Sequence, residues 1–199
     1  MKLTDRFDED VIEYKGRGIW LGLYFDVVLR AFELIQDKSF NPWEKVDILL
    51  EMFVENPEAL QGLDIYEKDM LVGIIFDRFI DNEKDKRSSS NQKPQYDLEK
   101  DAEYIYASFL YDYGIDLFEQ QGKMHWKKFK ALLAGLSEDS KFMKVIGYRT
   151  MEIPNKIPPK ERQRLLELKR AYSLEQTQTV DDIDAKFEAL AAMMRPKGR

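Results

Sequence analysis

A chain of 199 residues and 23.6 kDa fits one domain or two small ones. Apolar residues make up 44% and aromatics 13%, enough to pack a core and to exclude wholesale disorder. The net charge of −6 excludes a wholly basic nucleic-acid coat, and the absence of cysteine excludes disulfides, thiolate zinc sites and thiol catalysis.

The first residues, Met1-Lys2-Leu3-Thr4-Asp5-Arg6, are charged where a secretory signal would be apolar. The longest apolar runs, such as Met70 to Phe76, fall far short of the roughly 20 residues that cross a bilayer. A cytoplasmic protein without membrane contact is expected. Val11-Ile12-Glu13-Tyr14 alternates as a strand does, Lys15-Gly16-Arg17-Gly18 supplies turn residues, and Ile19-Trp20-Leu21 resumes the apolar run. These predict a short β-hairpin, which must lie on something because two strands alone are marginal in water.

Helices follow. Phe25, Val28, Leu29, Phe32 and Ile35 recur every three or four residues and mark a first buried face. Asn41-Pro42-Trp43 opens a second helix, with Asn41 as cap, and Trp43, Val46, Leu50 and Phe53 continue it to the Asn56-Pro57 stop. A third segment, Asp64 to about Ile80, is apolar on most of its circumference (Val72, Ile74, Ile75, Phe76, Phe79, Ile80), which predicts a central position. Residues 81–94, DNEKDKRSSSNQKP, contain no apolar residue and read as a mobile surface loop within one domain, the alternative being a linker at a domain boundary.

Beyond that loop, Leu98, Ala102, Ile105 and Phe109 mark a fourth helix, closed at Gly114. Trp126, Phe129, Leu133 and Leu136 mark a fifth. Ser137-Glu138-Asp139 opens a sixth that runs to about Gly147, and Pro159 to about Tyr172 is a seventh. Polar Glu175 to Thr179 links to a tail in which Val180, Ile183, Phe187, Leu190 and Met194 step by three and four. Acids stand at its start and bases at its end, as the helix dipole favours. The expected fold is therefore mainly α: a multi-helix globular domain over 1–174 with a short N-terminal β-hairpin, then a linker and an amphipathic C-terminal helix over 175–199.

Charge is unevenly spread. Residues 1–87 hold 12 basic and 20 acidic residues, whereas 123–170 hold 13 basic and 5 acidic. Such a dipolar chain can steer a partner or orient self-association, although separately solvated faces give the same counts.

Signs of catalysis are weak. His125 is the single histidine, so a histidine metal site has no second ligand, and no G-x-S-x-G elbow accompanies it. A partly exposed helical histidine is the simpler expectation. Gly16-Arg17-Gly18 lies between two strands and is a turn, not a dinucleotide loop. No phosphate loop or Ca²⁺ loop occurs, and no cofactor is expected. Lys123, Lys127, Lys128 and Lys130 surround Trp126 and Phe129, as a phosphate-backbone site would require. The aromatics share a face with Leu133 and Leu136, however, which favours core over nucleic acid. Tyr104, Tyr106, Tyr111 and Tyr113 spread around the fourth helix, so some rings must reach the surface. With Trp126, and with Ile183, Phe187, Leu190 and Met194 of the tail, they form the candidate protein-binding set.

Several motifs occur together: Tyr104-Ile105-Tyr106-Ala107-Ser108-Phe109, Tyr111-Asp112-Tyr113-Gly114-Ile115-Asp116-Leu117, His125-Trp126-x-x-Phe129-x-Ala131-Leu132-Leu133-x-Gly135-Leu136, and Ile146-Gly147-Tyr148-Arg149. As a set, with Lys169-Arg170-Ala171-Tyr172-Ser173-Leu174 closing it, this resembles the bacteriophage Gp-fifteen family over roughly residues 10–174. The resemblance implies a non-enzymatic factor from a phage tail-morphogenesis module, acting in the cytoplasm of the bacterial host. It implies a tail assembly chaperone whose partner is the tape-measure protein or another tail protein. The alternative is a structural or regulatory protein of the same module that never touches the tape measure. A chaperone of this kind needs an apolar groove that accepts a helix by its i, i+3, i+4 anchors. The tail helix is expected to compete for that groove, or to fill a neighbour's and so build a homo-oligomer.

Overall fold

The computed structural model of the protein describes residues 10–80, 95–154 and 156–174. The expected loop 81–94 and the expected tail helix with Ile183, Phe187, Leu190 and Met194 lie outside them. The chain divides into two compact units, Met1–Lys144 and Val145–Arg199.

The hairpin is present, with β1 at Val11–Tyr14 and β2 at Arg17–Trp20, antiparallel in the register Val11↔Trp20 to Tyr14↔Arg17. Its turn is tighter than the four residues expected. Lys15 and Gly16 both take positive φ, 50° and 74°, which gives a two-residue turn whose twist matches that of the strands. Ile12 and Ile19 pair across the ladder and are buried. The free edge of β2 is covered by the end of the second helix. Glu55 N–H donates to the Trp20 carbonyl (2.9 Å), and Asn56 bridges, accepting from Trp20 N–H (2.8 Å) and donating to the Gly18 carbonyl (2.9 Å). That third rank of hydrogen bonds supplies the support that an isolated hairpin lacks.

Helix α1 is Phe25–Gln36 and α2 is Pro42–Phe53. The α2 start is a full capping box: Asn41 Oδ1 accepts from the Trp43 and Glu44 amides, and Glu44 reaches back to the Asn41 amide (2.8 Å). A 3₁₀ turn, Pro57–Leu60, leads to α3 at Ile65–Ile75, capped by Asp64 with Glu67. Two expectations need correction here. The third segment is not one α-helix to Ile80, because its last turn, Phe76–Ile80, is π-helical. Nor is it central throughout. Leu71, Val72, Ile75, Phe79 and Ile80 are buried, but Tyr66 and Met70 face solvent.

Helix α4 is Ala102–Tyr113 and ends on Gly114 in the left-handed conformation (φ 63°), as expected. Helix α5 is Trp126–Ala134 and α6 is Lys141–Thr150, the latter beginning later and ending later than expected. Helix α7 is Pro159–Ala171.

Aromatic rings form the centre of the first unit. Phe129 of α5 stacks on Phe25 (5.0 Å), Phe109 (5.3 Å) and Trp126 (5.6 Å), and Trp126 meets Phe32 edge-on (5.9 Å). These three stacked pairs and one edge-on pair add to the burial energy of the rings themselves. The second unit is small. Tyr148 stacks on Tyr172 (5.3 Å), Arg149 donates to the Tyr172 carbonyl, and Lys169 donates to the Met151 carbonyl (2.9 Å).

Candidate functional site: an apolar groove between α1 and α4

Helix α1 presents Phe25 and Leu29, one turn apart. Helix α4 presents Ala102, Ile105 and Tyr106 in the same way, with Leu98 just before it. The turn after α4 adds Leu117 and Phe118, and Phe129 also lines the space. The groove's volume is about 210 Å³. That is below the roughly 300–1,000 Å³ of small-molecule sites and suits side chains entering from a partner helix. Asp26, Arg30 and Glu33, spaced along α1, provide a charged rim.

The walls are held by one carboxylate. Asp116 Oδ1 accepts the Phe118 amide (2.9 Å), and Asp116 Oδ2 accepts the Tyr106 hydroxyl (3.3 Å). The Phe118 ring leans on the Tyr106 ring at 5.2 Å and is still 69% exposed. Burial and the neighbouring Asp116 charge both push the Tyr106 hydroxyl pKa upward, so it stays a neutral donor. Gly114-Ile115-Asp116-Leu117 is thus a working unit: Gly114 ends α4, Asp116 ties the wall and Leu117 lines the groove.

The other candidate residues separate. Tyr104 lies under the Lys141 ammonium (5.6 Å). Tyr113 packs edge-on against Phe109 and donates to the Leu132 carbonyl (2.9 Å), and burial followed by the Asp112 charge raises its pKa. Tyr111 and Leu110 are exposed. Trp126 is only 4% exposed and donates to the Ile80 carbonyl (3.3 Å), which places it in the core and not on a binding surface. Of the tyrosines, Tyr106 alone lines the groove. The sequence pattern missed Phe118, whose only signal was its place just after the Asp116-Leu117 pair.

His125 also differs from expectation. It is 7% exposed and stands at the N-cap of α5, not partly exposed on a helix. Its Nδ1 accepts the Lys127 amide (3.0 Å), so the ring proton lies on Nε2 and is donated to Asp10 Oδ2 (2.6 Å). Asp10 Oδ1 also accepts from the Lys127 ammonium (3.0 Å). Burial alone would raise the Asp10 pKa. Hydrogen bonds from His125 and Lys127, with the Lys127 charge, outweigh it and hold the carboxyl below its ordinary value. Both ring nitrogens are engaged, which leaves His125 a structural clasp between the start of β1 and α5. Beside it, Phe25 donates to the Met124 carbonyl (2.9 Å) and Trp126 to the Leu23 carbonyl (2.8 Å).

Three of the four lysines around α5 are likewise engaged within the protein. Lys127 binds Asp10, Lys130 donates to the Ile80 carbonyl (2.8 Å), and Lys123 donates to the Glu119 carbonyl (3.0 Å). Among the described residues there is no cluster of three or more histidine or acidic side chains arranged to hold a metal, and no helix long and apolar enough to cross a membrane.

Fold and groove together define a mainly α protein with a small apolar groove that fits entering side chains. The chain belongs to the bacteriophage Gp15 protein family, whose family model matches residues 3–174. No match was found among curated proteins or among solved structures.

Proposed function

We propose that this protein is a non-enzymatic phage tail assembly chaperone that acts in the cytoplasm of the bacterial host and shelters the tape-measure protein. The observation that carries the proposal is the open apolar groove between α1 and α4, with Phe118 projecting at its lip. A tape-measure chain is a long series of amphipathic helices that aggregate when left bare. An apolar anchor entering the groove gains about 1.5–3 kcal/mol, roughly 10- to 150-fold in affinity per anchor. Two or three anchors give binding that holds a client and still releases it when tail polymerisation begins.

The engaged nitrogens of His125 support a non-enzymatic reading, because the chain has no other imidazole to act as a base. Co-expression with fragments of the tape-measure protein from the same phage genome tests the proposal. Fragments that precipitate alone are expected to stay soluble and to co-purify with this protein. Fragments that remain insoluble in its presence would favour the alternative, a tail-module interaction protein that does not bind the tape measure.

A further inference from the structure

A second apolar surface lies on α2 and α3, and it shares no residue with the groove. Trp43 is 48% exposed, Tyr66 73% and Met70 46%. The Trp43 and Tyr66 rings meet edge-on at 5.8 Å, and Met70 stands one helical turn beyond Tyr66 on the same face of α3. Scattered exposed apolar residues are ordinary. A tryptophan, a tyrosine and a methionine grouped together are the composition of protein interfaces.

The segment that carries these side chains is acidic: residues 33–77 contain 11 acidic and 3 basic side chains, one of the acids, Glu67, being paired with Lys15 of the hairpin turn. Two of those three bases are engaged locally: Lys68 pairs with Asp47 (2.7 Å) and Lys45 donates to the Ile35 carbonyl (2.7 Å). An occupant of this surface must therefore be basic and carry apolar side chains. The chain has such an element. Helix α7 holds five basic and two acidic residues, includes Leu165, Leu166 and Leu168, and has no buried residue.

We propose that α7 of a second copy docks across Trp43, Tyr66 and Met70, so that copies associate head to tail. The two faces are different, so the contact is heterologous and leaves one free face at each end of a pair. Opposite charge steers the encounter and makes it salt-sensitive.

The experiment is sedimentation velocity on the full chain over a range of protein and salt concentrations. Two variants are used, Trp43→Ala with Tyr66→Ala, and Arg162→Glu with Arg164→Glu. All four positions are exposed, and circular dichroism checks that each variant folds. The wild type is expected to grow in mass with concentration and to lose mass as salt rises. Each variant alone is expected to associate at least 30-fold more weakly. Mixing the two is expected to restore a 1:1 pair that grows no further, because each variant still offers one intact face. A wild type that is monomeric at every concentration would overturn the proposal. So would variants that associate like the wild type, or a mixture that stays monomeric.

Discussion

Asp10 and His125 show how much of this fold rests on single polar contacts. The two side chains are 115 positions apart, yet they meet at 2.6 Å in a buried site, with the Lys127 ammonium on the other carboxylate oxygen. The folded carboxyl titrates below its unfolded value. Its stabilisation is therefore complete above the unfolded pKa, near about 4, and is lost as pH falls through the lower folded value. Asp10→Asn should lower the melting temperature at pH 7 and flatten the acid side of the stability curve below about pH 4. Thermal melts from pH 7 to pH 2.5 check this. An unchanged acid limb in the variant would show that Asp10 is not the group responsible. The His125 nitrogen that caps α5 adds a second effect of the same site. Replacing the ring by alanine removes the cap and leaves Asp10 short of a donor, at a cost of roughly 1–3 kcal/mol.

At the scale of elements, α5 is the keystone, because Phe129 touches rings from α1 and α4 as well as its own helix neighbour Trp126. Phe129→Ala is expected to cost about 3–5 kcal/mol, enough to lower the melting temperature by roughly 10 °C in a chain of this size. Denaturant unfolding of the variant measures it directly. Most helices were legible in the sequence for a plain reason: where one face is buried, apolar residues recur with the helical period, as in α1 and α4. Caps were legible too, since Asn41 and Gly114 have the side-chain or backbone chemistry that ends require. Periodicity says which face is apolar but not whether anything covers it. That is why the third segment, expected to be central, leaves Tyr66 and Met70 in solvent. Trp126, set beside the tyrosines as a candidate protein-binding residue, lies in the core, as the face it shares with Leu133 and Leu136 indicated. The π-helical turn at Phe76–Ile80 and the cap at His125 depend on partners distant in sequence, and no local pattern announces them.

At the scale of the whole molecule, two different surfaces stand out against the uneven charge of the chain. One is the nearly neutral groove beside α4, walled by Tyr106 and Phe118 through Asp116. The other is the acidic aromatic surface on α2 and α3. The chain's membership of a bacteriophage family is the setting for both proposals. The groove carries the functional proposal, so it is the place to measure. Isothermal titration of a soluble tape-measure fragment into the wild type and into Phe118→Asp is the most direct test. Phe118 is largely exposed, so the substitution places a charge at the lip without removing a core contact. The wild type should bind saturably with a negative heat-capacity change from apolar burial, and the variant at least tenfold more weakly. No binding by the wild type, or equal affinities for the two proteins, would contradict the account.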